Sequence, residues 1–214
     1  LGANEKFNLL KYLDGISMGA PKTIKYSDID DVKQFKPSFS LNERTRSYLK
    51  VQDGCDYTCS FCTIPLARGR SRSGTISSIV KAADEIANSG KKEIVLTGVN
   101  IGDFGKASDD SLIDLINELD KVKAIERIRI SSIEPNLLTN EIIEFCNFST
   151  KFMPHFHIPL QSGSNKILRA MRRRYDKEVY KNRIKKIKEL NPDTCIGVDV
   201  IVGYPTESDE DFLE

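Results

Sequence analysis

Apolar positions along this chain follow two periods that take turns. Over residues 75–89, Ile76, Ile79, Val80, Ala83, Ile86 and Ala87 return every three to four positions, and Gly90 is placed to end the helix they predict. Leu112, Leu115, Ile116, Leu119 and Val122 mark a second helix, and Leu138, Ile142, Phe145 and Cys146 stripe a third. Ile167, Leu168 and Met171, then Val179, Tyr180, Ile184 and Ile187, carry the helical period on until Asn191-Pro192 stops it. Between these stretches lie short apolar runs: SYLKVQ (47–52), EIVLT (93–97), RIRIS (127–131), HFHIP (155–159) and CIGVDVIV (195–202). The closing ESDEDFLE reads as the first turns of one more helix.

Strands that alternate with helices predict βαβ units on a parallel sheet. With no clear dinucleotide fingerprint, the expected fold is α/β, a partial (β/α) TIM-like barrel truncated after about five strands; eight closed units take ~250 residues. Residues 47–214 make up this unit. Residues 1–20, with the short helical pattern NEKFNLLKYLDGIS, read as the end of a missing N-terminal domain, and the polar, proline-containing stretch 21–46 reads as a linker. The pattern stops in mid-unit at residue 214, so the chain reads as a fragment.

Composition narrows the function classes. Hydrophobic residues make up 39% and charged residues 29%, which suits a globular chain with a real core. No run approaches ~20 apolar residues and nothing resembles a signal peptide, so no membrane partner and a cytoplasmic location are expected. The net charge is +1, so any polyanion binding has to come from local basic clusters. Five cysteines are an odd number, and three of them sit in DGCDYTCSFC (53–62). That argues against a secreted disulfide framework and for a metal or redox site.

Cys55, Cys59 and Cys62 follow directly on the first strand, at the rim where parallel α/β folds place their chemistry. Three thiolates from one loop can ligate three irons of a 4Fe–4S cluster and leave the fourth iron open. The competing reading is a zinc site that borrows Cys146, Cys195 or His157 as fourth ligand. Cys146 and Cys195 otherwise read as core residues, since a free cysteine behaves as a small hydrophobe.

CDYTCSFC resembles the Cys-x3-Cys-x-aromatic-Cys loop of the radical S-adenosylmethionine (SAM) enzymes. RTRSYLKVQDGCDYTCSFCTIPLARGRSRS, EIVLTGVNIGDFG, RISSIEP, HIPLQSGSNKILRAMRRRY and DVIVGYPTES together resemble the methylthiotransferase branch of that family. LTGVNIGDFG and IPLARGRSRS look most like its members acting on threonylcarbamoyl-adenosine beside the tRNA anticodon. The resemblance implies a 4Fe–4S cluster on the three cysteines, SAM on the open iron, a tRNA substrate and an electron donor such as flavodoxin. It also implies a preceding domain with a sulfur-donating cluster and a C-terminal RNA-binding barrel, neither of which lies in these 214 residues. A branch that modifies a ribosomal-protein aspartate, and a zinc-binding RNA-contacting module, are the alternatives; the oligomeric state is unknown.

The resemblance also implies roles for single residues. Phe61 either faces the adenine or packs the loop. Gly98 lets a carbonyl approach the methionyl amino group, and Asn100 is its polar partner or a turn residue. Ser131, Ser132 and Glu134 bind the ribose diol or cap the next helix. Gln161 nears the rim after HFHIP, Gly203 marks the adenine-side strand, and Arg173 of MRRRY meets the SAM carboxylate. Arg68, Arg70 and Arg72 either grip substrate phosphates or form a solvated face.

Overall fold

The computed structural model describes residues 1–13, 22–41 and 45–214. Residues 14–21, divided between the expected domain end and the linker, and residues 42–44 of the linker lie outside the described residues. A short helix α1 (Leu9–Leu13) precedes β1 (Ser38–Phe39), a strand inside the stretch read as linker. β1 pairs antiparallel with β2 (Arg46–Lys50), Ser38 opposite Lys50. Two residues are too few to leave a period in the sequence.

The predicted strand SYLKVQ splits in two. After Lys50 the chain leaves the sheet, and β3 (Gln52–Asp53) pairs antiparallel with β4 (Arg72–Ser73) across the cysteine loop and α2 (Ile64–Arg68). The remaining elements follow the expected order: α3 (Ile76–Asn88), β5 (Glu93–Thr97), α4 (Leu112–Asp120), β6 (Arg127–Ile130), α5 (Asn140–Phe148) and β7 (His155–His157). Helices α6 (Asn165–Ala170) and α7 (Lys177–Leu190), β8 (Cys195–Gly197) and α8 (Asp209–Leu213) complete the chain.

β2, β5 and β6 run parallel, with Arg46, Glu93 and Arg127 in register at one end. β7 and β8 are parallel too, and the single bridges Ile128–Phe152 and Ser132–His157 carry the sheet from β6 towards β7. The sheet is partial and does not close into a barrel. Along β2 and β5 burial alternates, so Leu49, Ile94 and Leu96 face the helical layer that Ile79, Ile86, Leu115 and Ile116 fill. Each such aliphatic side chain contributes roughly 1.5–3 kcal/mol by leaving water. Thr75, Ser111, Thr139 and Asp176 cap α3, α4, α5 and α7 by accepting a backbone N–H with their side chains.

CIGVDVIV departs from expectation. Only Cys195–Gly197 pairs as a strand, and Val198, Val200 and Val202 are exposed. β8 bonds to β7 on one edge, and among the described residues no strand lies on the other, so nothing buries the run. For the same reason Cys195 is exposed and not a core residue, whereas Cys146 is buried on α5 as expected.

Candidate active site

The cysteine loop leaves β3 through Gly54, whose φ is +73° and where an added Cβ would lie 2.0 Å from the Arg70 carbonyl oxygen. Only glycine fits, so the arginine loop can close over the start of the cysteine loop. Cys55 N–H donates to Gly69 O at 3.0 Å, Cys62 N–H to Cys59 O at 3.0 Å and Ser60 N–H to Met171 O at 3.2 Å. Tyr57 is buried beneath the Arg174 guanidinium, 4.1 Å from its ring centre, and its hydroxyl accepts from Asn136 at 2.7 Å.

Beneath the loop lies Gln52, fully buried at 0% exposure. Its Nε2 donates to Asp53 O, Gly54 O and Ser71 Oγ at 3.1, 2.7 and 2.9 Å. Its Oε1 accepts from Val99 N–H at 2.9 Å and Asn100 N–H at 2.8 Å. Asp53 beside it is buried as well, between Arg72 at 3.3 Å, Arg68 at 3.2 Å and Lys50 at 3.6 Å. Burial pushes the Asp53 carboxyl up, but Arg72, Lys50, the Gly54 N–H and Arg68 outweigh it and hold the group below its ordinary value.

At the C-terminal ends of the strands a cavity of about 310 Å³ opens, lined by Cys55, Cys59 and Cys62 together with Phe61, Asn100, Ser132, Glu134, Gln161 and Arg173. Tyr57, Val99, Pro159 and Asp199 complete much of its wall. Sequence reasoning thus finds nine of its residues, and the structure brings them onto one surface. Gly98, Ser131 and Gly203 are not among the lining residues. Gly98 packs on Gln52, Ser131 N–H joins Leu96 O, and Gly203, at φ +76°, turns the chain and donates its N–H to Glu207. Phe61 lines the cavity and is exposed at 43%.

Two polar groups give the cavity a direction. Asn100 Nδ2 donates to Asp103 at 3.0 Å, which turns Oδ1 away as a buried acceptor with no partner. Arg173 donates through Nη1 to Cys59 Sγ at 3.1 Å and through Nη2 to Glu134. Its Nε reaches the Tyr175 hydroxyl at 3.3 Å, and that hydroxyl donates to Pro159 O and Leu160 O, each at 2.9 Å. Ser132 Oγ is hydrogen-bonded to His157 Nδ1, and His157 Nε2 lies 3.3 Å from Asp199. Gln161 holds φ +66°, a strained value for a residue with a side chain, at the cavity edge.

The arginine loop divides. Arg72 is buried, and its guanidinium donates to Gln34 O, Arg68 O and Arg70 O as well as to Asp53. Four of its five N–H groups are spent on the protein from a buried position, so it is not placed to meet a substrate phosphate. Arg68 is half exposed against Asp53, and Arg70 is exposed beside Cys55, Asp56 and Thr58.

These residues fit the implied cluster and cofactor. Three sulfur donors with no imidazole among them suit iron–sulfur ligation. Burial pushes the Cys55 and Cys59 thiols up, against thiolate formation, and a cationic centre is what would reverse that. The orphaned Asn100 oxygen suits an amino group. Tyr57, Gln52, Asp199 and Asp103 escaped sequence reasoning; Gln52 and Tyr57 flank the first cysteine, the one signal that pointed to them.

The family model of the radical SAM superfamily matches residues 49–214. The threonylcarbamoyladenosine tRNA methylthiotransferase MtaB of Bacillus subtilis (strain 168) is 40% identical over 220 residues, covering 100% of this chain and 48% of that protein. The tRNA-2-methylthio-N(6)-dimethylallyladenosine synthase of Rickettsia canadensis (strain McKiel) is 38% identical over 193 residues, covering 86% of this chain and 43% of that protein. The chain spans about half the length of the curated relatives it matches. Among solved structures, the cobalamin-dependent S-adenosylmethionine radical enzyme OxsB with aqua-cobalamin bound is similar at TM-score 0.56 and 17% identity, covering 72% of this chain and 23% of that one. The radical S-adenosylmethionine methyltransferase TsrM from Kitasatospora setae gives TM-score 0.55 at 16% identity, covering 72% and 30%. At such identity these likenesses show the fold alone. A family model matching over most of the strands and helices, together with relatives of that family along the whole length, means that the chain belongs to the radical SAM superfamily.

Proposed function

We propose that this chain is the radical-forming core of a tRNA methylthiotransferase, acting on the N6-threonylcarbamoyl-adenosine beside the anticodon. In this reading Cys55, Cys59 and Cys62 hold a 4Fe–4S cluster, and SAM fills the rest of the cavity. When bound and reduced, the cluster supplies the electron that breaks a sulfonium C–S bond to give a 5′-deoxyadenosyl radical. The chain's own residues position the reactants. Asn100 Oδ1 accepts from the amino group, Phe61 offers an apolar face to the base, and Ser132 and Glu134 present oxygens to the ribose hydroxyls. Arg173 supplies a cation for the carboxylate, and its cavity placement beside Cys59 keeps that charge next to the cluster loop.

The observation that carries the reading is three thiols and an orphaned acceptor on one cavity wall. Among the described residues no three His, Cys, Asp or Glu side chains are close enough to share one metal ion. A structural zinc takes four protein ligands, whereas three thiols from one loop leave one iron of a 4Fe–4S cluster open for a cofactor, and that is the reading we favour over the zinc module. For the substrate, relatives named for threonylcarbamoyladenosine align over 99–100% of the chain, and those named for dimethylallyladenosine over 79–86%. Against the ribosomal-protein reading, a basic substrate is repelled by Arg68 and Arg70. No helix among the described residues is long and apolar enough to cross a membrane; we place the reaction, with its electron donor, in the cytoplasm. Deleting the gene and profiling tRNA nucleosides tests this. Selective loss of the methylthio group from threonylcarbamoyl-adenosine supports it, and unchanged nucleosides with an unmodified ribosomal aspartate overturn it.

A further inference from the structure

We propose that Gln52 is a positioning residue that locks the cysteine loop and the Val99–Asn100 loop into one unit and so sets where SAM sits relative to the cluster. The inference rests on reading the cavity as the site of both groups. One amide reaches five partners with no access to water, its two N–H groups shared among three acceptors and its oxygen accepting from two N–H groups. On one side its NH₂ ties the carbonyls of Asp53 and Gly54, and Gly54 directly precedes Cys55. On the other side its oxygen takes the N–H groups of Val99 and Asn100, and Asn100 carries the orphaned acceptor. Apart from Ser71 Oγ every partner is backbone, so the link fixes main chain and not merely a side chain.

The chemistry selects an amide. A carboxylate would keep the acceptor half and turn its second oxygen on two carbonyls; a leucine would fill the volume and satisfy neither side. An asparagine is one methylene short of the span. Gly98 completes the fit, since an added Cβ there would meet Gln52 Oε1 at 3.0 Å and its Cβ at 3.1 Å. If packing alone were required, a fully buried position would take an apolar residue. The motifs DGC (53–55) and TGVN (97–100) are therefore coupled through a residue belonging to neither.

The test compares Gln52→Glu and Gln52→Leu with the unaltered full chain after anaerobic reconstitution with iron and sulfide. Iron content, thermal midpoint and the dissociation constant for radiolabelled SAM by equilibrium dialysis are measured on each. We expect both variants to keep their iron, because the cysteines carry cluster retention, and to bind SAM about 10- to 100-fold more weakly. The EPR signal of the reduced cluster, which a purely structural role would leave responsive to SAM, should lose that response at SAM concentrations that saturate the unaltered chain. SAM affinity unchanged in both variants overturns the proposal, as does a loss of iron and of thermal midpoint that runs parallel to the loss of SAM binding. An unaltered chain that takes up iron but never binds SAM overturns the reading of the cavity itself, and the inference with it.

Discussion

Arg173 Nη1 lies 3.1 Å from Cys59 Sγ while Nη2 of the same guanidinium meets Glu134. A thiol from the cysteine loop and a carboxylate from the loop after β6 thus share one cation, whose side chain is 4% exposed. Burial works against the charge of Arg173, but Glu134 more than offsets it, so the guanidinium stays protonated.

Removing that cation should be costly. Arg173→Met leaves the Glu134 carboxylate beside the cavity without its partner, and breaking a largely buried pair from one side costs about 3 kcal/mol. Glu134→Gln keeps an acceptor for Nη2 and should cost less than half as much. Urea unfolding of the two variants checks the order; equal losses would mean the pair is not what holds this corner.

The thiols should separate by chemistry. Cys59→Ala should strip most of the iron from reconstituted protein, and Cys146→Ala should leave it unchanged, because Cys146 is buried on the helical layer. Burial pushes the Cys146 thiol up to about 12. At pH 8 only ~10⁻⁴ of it is thiolate, so iodoacetamide should label exposed Cys195 long before Cys146. Mass mapping of the alkylated native chain reads this directly.

What the sequence made legible follows from what leaves a period or a spacing. EIVLT spans β5 residue for residue, and the stripes on α3, α4, α5 and α7 were plain because each helix buries one face. β1 and the β3–β4 pair stayed hidden, since two residues per strand carry no alternation. Cys55, Cys59 and Cys62 were legible through spacing, and Asn100, Glu134 and Gln161 through their place after strands. Arg72 was misread because charge in a sequence does not say which way a guanidinium turns, and here it turns inward onto Asp53 and three carbonyls. Gln52 was missed for a similar reason: its role lies in contacts spanning up to 48 positions, which no local pattern records.

Asp53 should make stability depend on acid. Its folded-state value is held below the ordinary 3.8 by Arg72, Lys50, the Gly54 N–H and Arg68, against the upward push of burial. A carboxyl depressed on folding gives stability that is fully present above its unfolded value and lost as pH falls through its folded value. Asp53→Asn should therefore destabilise the chain by about 2 kcal/mol at pH 7, the cost of an unpaired buried charge cluster. In acid, below the ordinary 3.8 and on through the lower folded-state value, the gap to the unaltered chain should narrow, because Asp53 is then protonated in the folded state as well. Urea midpoints at pH 7 and in acid check it; a gap of constant size would show that the charge of Asp53 is not its source.

The arginine loop gives the sharpest division of labour. Arg70 is exposed in a separate groove beside Cys55, Asp56 and Thr58, whereas the guanidinium of Arg72 donates to three carbonyls and to Asp53 from a buried position. An exposed guanidinium is free to form bidentate contacts with a phosphate and releases about one counterion when it does. Arg70→Ala should leave the thermal midpoint unchanged, weaken tRNA binding, and reduce the slope of log affinity against log salt by about 1. Arg72→Ala should behave in the opposite way: it strands three carbonyls and removes the main partner of Asp53, so stability falls by about 2–3 kcal/mol. Where that variant is still folded, its salt slope should match the unaltered chain. Filter binding of unmodified tRNA over a potassium chloride series, alongside melting curves, measures both quantities. A full slope in Arg70→Ala would remove this loop from the RNA-contacting surface, and a reduced slope in folded Arg72→Ala would show that the buried arginine turns outward to meet the substrate.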